Sequence, residues 1–271
     1  MPELPEVETT RRGIEALIVG RTIVHIEVRE PRLRWRVPNE LIEAAAGQPL
    51  RALQRRGKYL LFALTNGTLI VHLGMSGSLR VLPASTPPRA HDHVDIVLDS
   101  GACLRFNDPR RFGCLLWTAD DPQQHPLLRD LGPEPLSADF NGVTLARAAK
   151  GRRVAIKQLL MNSQIVVGVG NIYASEALFR AGIRPRRAAG RLKLKEFAAL
   201  AKAVKQVLRE AIRSGGTTLR DYVNAEGMPG YFRQRLYVYE RTGEPCRVCR
   251  TPIRHCVQGQ RSTYFCAQCQ K

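Results

Sequence analysis

Apolar residues change their spacing part-way along the chain. Up to about residue 118 they mostly alternate with polar ones, as strands with one buried face require. Beyond residue 142 they recur at three- and four-residue intervals, as helices require. The opening segment is an exception: residues 5–18 read as a helix, because Val7, Ile14 and Leu17 fall on one face. Pro5 suits a first turn, where the missing N–H costs nothing. Glu6 and Glu8 lie there too, at the positive end of the helix dipole. Strands follow at 22–29, 50–54, 59–64, 68–73, 79–82, 94–98, 103–106 and 114–118. Thr65-Asn66-Gly67 is a strong hairpin signal and Ser100-Gly101 a second turn. Short strands with such turns predict an antiparallel sandwich or barrel.

Residues 119–142 form a boundary marked by Pro122, Pro126, Gly132, Pro133, Pro135 and Gly142. Helical runs follow at 145–149, 154–161, 171–181 and 194–212. Gly182 ends the third and Gly215-Gly216 the fourth. Residues 215–230, with glycine and proline, read as a mobile loop. The pattern shows no internal repeat and no low-complexity tract.

Charge sharpens this division. The chain of 271 residues carries +18, almost all of it in residues 150–271, which hold 24 Lys/Arg against 7 Asp/Glu. An excess so concentrated needs an anionic partner, and nucleic-acid phosphate fits best. Arginine outnumbers lysine, which suits bidentate phosphate contact. No apolar run reaches eighteen residues, so no membrane span is expected. The acidic N-terminus lacks the apolar region of a signal peptide, so the expected location is the cytoplasm, in association with the nucleoid.

The most specific chemical signal is Cys246-x2-Cys249-x16-Cys266-x2-Cys269. Two CxxC knuckles a hairpin apart supply four thiolates, as one structural zinc ion requires. Such a site is closed, so this zinc is not catalytic. It would hold a hairpin whose Arg247, Arg250, Arg254 and Arg261 can meet DNA or remain solvated surface charges. Cys103, Cys114 and Cys256 have no partner pattern.

Other signals are weaker. Val167-Gly168-Val169-Gly170-Asn171 precedes a helix. It can present backbone N–H groups to phosphate or serve only as a packing turn. His91 and His93 share a strand face, but no third metal ligand is in pattern, so a phosphate contact or a structural hydrogen bond suits His91 better. The loop Asn107-Asp108-Pro109-Arg110-Arg111-Phe112-Gly113 offers two arginines and an aromatic, as a wedge into a base stack or as a plain turn. Met75, between Gly74 and Gly77, sits at a comparable loop tip or in the core. Pro2 follows a removable initiator Met. Once exposed it is a secondary amine beside the Glu3 carboxylate, and α-amino groups titrate near pH 8, so a fraction is nucleophilic at neutral pH. Attack on an aldehyde carbon yields an iminium, a permanent cation and a strong electron sink. The alternative is that Pro2 only begins the chain.

Taken together, Pro2-Glu3-Leu4-Pro5-Glu6-Val7-Glu8-Thr9, His-Leu-Gly-Met-Ser-Gly at 72–77, Asp-Pro-Arg-Arg-Phe-Gly at 108–113, Val-Gly-Val-Gly-Asn-Ile-Tyr-Ala-Ser-Glu at 167–176 and the cysteine quartet resemble bacterial formamidopyrimidine-DNA glycosylases over essentially the whole chain. The resemblance implies an α+β multidomain fold. An N-terminal antiparallel β-sandwich catalytic domain with its opening helix spans 1–133 and a linker 134–150. A helix–two-turn–helix DNA-binding domain with a lesion loop spans 151–232, and a zinc finger 233–271. It implies a monomer that binds damaged double-stranded DNA in the cleft between its halves. The enzyme would flip out and excise oxidised purines, 8-oxoguanine and formamidopyrimidines. β,δ-Elimination of the strand would follow, a combined glycosylase and lyase of base excision repair.

The same resemblance assigns Pro2 as nucleophile, Glu3 as acid/base partner, Lys58 to β-elimination and Arg261 to δ-elimination. It assigns His91, Arg110, Arg152 and Asn171 to DNA contact, Met75 to the vacated space, Phe112 with Arg110 to the opposite strand, and 217–227 to the loop over the extruded base. Arg152 stands where relatives can carry lysine. Two other readings remain open from sequence: a non-enzymatic zinc-finger DNA binder, and an endonuclease VIII-like enzyme for oxidised pyrimidines, whose N-terminus departs from Leu4-Pro5-Glu6-Val7. Loss of chemistry in Pro2→Gly or Glu3→Gln separates an enzyme from a binder, and base preference separates the two enzymes.

Overall fold

The computed structural model describes residues 2–217 and 235–271, and the chain divides into two compact units. Met1–Arg129 with Ser214–Tyr231 forms one, and Asp130–Arg213 with Phe232–Lys271 the other.

The first unit is a sandwich of two four-stranded antiparallel sheets. β1 (Ile23–Val28), β6 (Asp92–Leu98), β7 (Ala102–Asn107) and β5 (Ser78–Pro83) adjoin in that order. β2 (Ala52–Arg56), β3 (Tyr59–Ala63), β4 (Thr68–His72) and β8 (Cys114–Thr118) form the other sheet. Alternate residues of each strand turn inward, so Ile26, Ile96 and Leu104 of one sheet share a core with Leu60, Phe62 and Val71 of the other. Each fully buried side chain of this size contributes about 1.5–3 kcal/mol before entropy is counted. The opening helix α1 (Leu4–Ile18) adds Val7, Ile14 and Ile18 to that core. The sequence pattern put Leu17 on the buried face. It is 52% exposed, and Ile18, four residues beyond Ile14, takes the inward position. A short helix, α2 (Asn39–Ala45), escaped the sequence reading because only Leu41 and Ala45 are buried in it, too few to set a period.

The outer face of the first sheet carries a row of charges in cross-strand register. Glu27 faces Asp95, Asp95 faces Arg105, and Arg105 faces Arg80. The Arg105 guanidinium donates to both Asp95 oxygens at 2.8 and 2.7 Å and to the carbonyls of Thr86 and Pro87, while Arg29 reaches Asp95 at 2.8 Å. Burial pushes the Asp95 carboxyl up, but Arg105 and Arg29 outweigh it and hold it below its ordinary range.

The second unit packs α3 (Gly142–Ala149), α4 (Ile156–Leu160), α5 (Asn171–Arg180) and α6 (Leu194–Arg213), and ends in the hairpin β9 (Arg254–Gln258) and β10 (Arg261–Phe265). α6 buries Phe197, Leu200, Val204, Val207, Leu208 and Ala211 at three- and four-residue spacing against α3 and α5. α5 is buried along most of its length. Its Glu176 accepts the backbone N–H groups of Tyr237, Val238 and Tyr239 at 2.9, 2.9 and 3.0 Å. Burial pushes this carboxyl up, and the three donors oppose it. Glu176 thereby anchors the chain that leads into the terminal hairpin.

Candidate active site

In the first unit the site begins where α1 begins. Glu3 is the N-cap residue, 2% exposed, with Pro2 buried beside it. The Glu3 N–H donates to the Glu6 carboxylate at 2.9 Å, the N-cap half of a capping box. The other Glu6 oxygen accepts the Thr217 N–H at 2.7 Å. One buried carboxylate therefore ties the start of the helix to residue 217. Sequence reading had used Glu6 only as a dipole-matched acid. The expected lesion loop at 217–227 otherwise lies outside the described residues.

The turn that precedes Lys58 is tied to the same helix by a cluster of charges. The Glu8 carboxylate accepts from Arg12 at 2.7 Å, Arg55 at 3.0 Å and Arg11 at 3.1 and 3.2 Å. Burial pushes the Glu8 carboxyl up, yet the three arginines win and bring it down to about 2. Arg55 also donates to the Gly57 carbonyl at 2.9 Å, which fixes the β2–β3 turn just before Lys58. Beyond the turn, at the end of β4, stands His72, whose Nδ1 accepts the Gly74 N–H at 2.9 Å. Burial, then the charges of Lys58 and Arg34, push its pKa down to about 4. The imidazole is neutral at physiological pH, and with Nδ1 accepting from Gly74 its proton is on Nε2. In the sequence His72 stands only as the first residue of the motif at 72–77, with no role of its own, because a histidine at a strand end carries no spacing signal.

Two loops of this unit interlock. Ser76 donates to Asp108 Oδ1 at 2.7 Å, and the Gly113 N–H donates to Asp108 Oδ2 at 2.8 Å. A Cβ at Gly74, which has φ 64°, would meet the backbone of Phe112 and Gly113 at 2.4 Å, and one at Gly113 would meet the His72 carbonyl at 2.6 Å. Only glycines allow this approach. The arrangement brings Met75 together with Arg110 and Phe112. Phe112 is 45% exposed, with the Arg110 guanidinium 5.0 Å from its ring centre. His91 joins the same group, since its carbonyl accepts the Asp108 N–H at 3.0 Å. It lies before β6 at φ 69° rather than on a strand face with His93, whose Nε2 is 2.9 Å from the Asp108 carbonyl.

In the second unit, Asn171 opens α5 after the glycine turn, with Gly170 as N-cap. Its Oδ1 is buried without a hydrogen-bond partner among the described residues. Arg152 is exposed, and its carbonyl is held by the Gly190 N–H at 2.9 Å. Arg261 is exposed at the first position of β10, just beyond the Gly259-Gln260 turn. Directly behind it the buried Lys157 ammonium donates to the Ser262 carbonyl at 2.9 Å and to Thr263 Oγ1 at 2.8 Å. Lys157 carried no sequence signal of its own, yet it sets the strand that presents Arg261.

The four cysteines converge. Their sulfurs lie within 4.8 Å of one another, with Cys246–Cys269 at 3.9 Å and Cys249–Cys266 at 3.4 Å. Zinc–sulfur bonds of about 2.3 Å in a tetrahedron put sulfurs about 3.8 Å apart, so the quartet fits one zinc ion. The Val248 and Cys269 N–H groups donate to Cys246 and Cys266 sulfurs at 3.4 Å, as zinc knuckles do. All four positions are thiolates, so the ion is structural.

Comparison with known families agrees with this geometry. Residues 1–115 match the formamidopyrimidine-DNA glycosylase N-terminal domain, 131–223 its H2TH domain, and 243–271 the zinc finger found in FPG and IleRS. The chain belongs to the formamidopyrimidine-DNA glycosylase family. Relatives of that name from Methylococcus capsulatus and Thioalkalivibrio sulfidiphilus are 58% and 59% identical over 271 residues, covering all of both chains. The crystal structure of MutM (FPG) from Thermus thermophilus superposes with a TM-score of 0.90 at 42% identity, covering 99% of this chain and 98% of that one. Lactococcus lactis Fpg in complex with DNA containing an abasic site superposes at 0.91 with 33% identity, covering 99% of each chain. Within this family frame, the N-terminal sandwich with its opening helix, the helical H2TH domain and the four-cysteine hairpin are those expected from the sequence. No helix among the described residues is long and apolar enough to cross a membrane.

Proposed function

We propose that this chain is a bifunctional DNA glycosylase and abasic-site lyase that removes oxidised purines, 8-oxoguanine and formamidopyrimidines, from duplex DNA in base excision repair. The observation that carries this reading is the adjacency of Pro2 to Glu3, the buried N-cap carboxylate of α1. Identity of 58–59% to relatives named formamidopyrimidine-DNA glycosylase supports it.

The Pro2 nitrogen, freed by removal of Met1, attacks C1′ of the flipped nucleotide. The N-glycosidic bond breaks, and the base leaves with a proton. Glu3 protonates the ring oxygen as the sugar opens, and the amine and C1′ become an iminium. The iminium acidifies C2′–H. Its removal breaks the C3′–O bond and expels the 3′ phosphate, and a second elimination breaks the C5′–O bond. Lys58 and Arg261 serve these steps chiefly as phosphate-holding cations, since both keep their protons at neutral pH. His72, held neutral by burial and by the charges of Lys58 and Arg34, adds an N–H donor. His91, Arg110, Arg152 and Asn171 bind the backbone of the damaged DNA, Met75 fills the vacated space, and Phe112 wedges the opposite strand. Zinc takes no part in the chemistry; it holds the hairpin that carries Arg261.

The test is borohydride trapping on a duplex with one 8-oxoguanine, followed by peptide mass mapping. The expected adduct is on the Pro2 nitrogen, in protein that lacks Met1. No adduct with zinc-loaded protein lacking Met1 would overturn the lyase assignment. Trapping only on oxidised pyrimidines would move the chain to the endonuclease VIII-like reading.

A further inference from the structure

The second unit carries a groove that the proposed chemistry leaves unused. It lies between the start of α3 and the outer side of α6, and encloses about 540 Å³. The size falls in the range of clefts that hold small ligands, room enough for one or two side chains of a partner. Its accessible floor is apolar, formed by Ala198, the edge of Ala201 and the backbone of Gly142 over the buried Phe140. α3 approaches α6 so closely here that a Cβ at Gly142 would meet the Ala198 Cα at 2.6 Å. The wall is cationic. Lys202, Lys205 and Arg209 follow one another along α6 at three- and four-residue intervals, with Arg213 one turn further. No acidic residue lines the groove among the described residues.

The local acids are already engaged. Glu210 accepts from Arg180 at 2.7 Å and Glu196 from Arg187 at 2.7 and 2.9 Å. Lys205 donates to the Ser137 carbonyl at 2.7 Å, which holds the wall against the segment before α3. The α3 N-terminus is capped by the Asn141 side chain, at 3.0 Å from both the Val143 and Thr144 N–H groups, so it offers no empty anion seat. A ligand's negative charge must therefore pair with the α6 cations, and its apolar part must fill the floor.

We propose that this groove binds an acidic peptide segment carrying a bulky apolar side chain, presented by a protein partner. The carboxylates pair with Lys202, Arg209 and Arg213, and the apolar side chain seats over Ala198 and Ala201. Charge complementarity selects the acidic partner, and the floor selects peptide over nucleic acid. A phosphate backbone has nothing apolar to place there. A single-stranded base needs an exposed aromatic face to stack on, and Phe140 is only 1% exposed. None of the residues assigned to DNA lines the groove.

The experiment uses the full-length zinc-loaded protein and a fluorescein-labelled twelve-residue peptide of alternating Asp and Gly ending in Phe-Phe, read by fluorescence anisotropy. Wild-type protein binds it at least tenfold more tightly than the same peptide with Phe-Phe replaced by Gly-Gly. The double variant Lys202→Glu, Arg209→Glu loses at least tenfold in affinity while keeping its circular dichroism spectrum and its affinity for duplex DNA. An excess of undamaged duplex or single-stranded DNA leaves the peptide bound. Equal affinity for the two peptides overturns the proposal, because it reduces the groove to a charged surface. Displacement of the peptide by either DNA also overturns it and makes the stripe a nucleic-acid surface. If the double variant does not fold, the peptide comparison and the DNA competition on wild-type protein decide alone.

Discussion

The two units differ in how far their arginines are buried against acids. In the sandwich, Arg105, Arg29, Arg55 and Arg11 are turned onto Asp95 and Glu8, and residues 1–149 hold 18 Lys/Arg against 17 Asp/Glu. In the second unit Arg152, Arg254 and Arg261 are exposed, and the surrounding sequence holds few acids. Arginine thus cross-links the sandwich through Asp95 and Glu8, while the second unit, besides its Arg180–Glu210 and Arg187–Glu196 pairs, leaves Arg152, Arg254 and Arg261 exposed. Composition alone gives the net charge of each half. Only the pairing tells which guanidinium groups remain available to an anionic partner.

That contrast can be broken by substitution, and chemistry gives the largest effect. Glu3→Gln keeps the shape of the α1 start but removes the proposed proton donor. Excision in single-turnover assays is expected to fall about 10²–10⁴-fold, with affinity for lesion duplex retained. A matching loss of affinity would make Glu3 structural. Next in size is Arg105→Met, which leaves Asp95 and Asp92 buried with fewer partners. Urea unfolding should show a loss of about 3–5 kcal/mol, whereas Arg254→Ala should stay within about 0.5 kcal/mol. Similar losses in both variants would erase the distinction between the units.

Acid should act on the sandwich in a defined window. The Glu8 carboxyl is held at about 2 in the folded protein, below its ordinary value of 4.5. The unfolded chain therefore binds the proton first. The stabilisation is complete above about pH 4.5 and is lost as pH falls toward 2. Thermal melts across this range should show that loss, and Glu8→Gln should flatten it. His72 sharpens the picture from the neutral side: its imidazole resonances should titrate near pH 4 rather than near 6.5. The smallest effect is on salt dependence. Arg254→Ala should lower the slope of log affinity for DNA against log salt by about 0.9, if one phosphate contact is lost. Arg32 in the sandwich, bonded to Glu30 at 2.7 and 2.8 Å, should leave the slope unchanged when replaced by Ala.

Much of this architecture is legible in the sequence because its signals are local. Alternation marks the eight strands of the sandwich, Thr65-Asn66-Gly67 marks one hairpin, and the cysteine spacing marks the zinc knuckles. What stayed hidden depends on contacts between distant residues. Glu6 becomes a tie to Thr217 only because the chain returns to α1 after more than two hundred residues. Lys157 looks like one more basic residue of a basic half until the fold buries it against Thr263. His72 acquires its lowered pKa from burial first, and then from Lys58 and Arg34, neither of which is its sequence neighbour. Leu17 and Ile18 show the limit of periodicity itself, since one residue of rotation decides which enters the core.

The interlocking of Gly74 with Gly113 has a consequence for how this protein can vary. With 2.4 Å between a Cβ at one loop and the backbone of the other, the loops bearing Met75 and Phe112 have a single joint clearance. A side chain placed at Gly74 or at Gly113 displaces both tips at once. The two tips are inherited as one part, so drift at one position is free only as far as the other can follow.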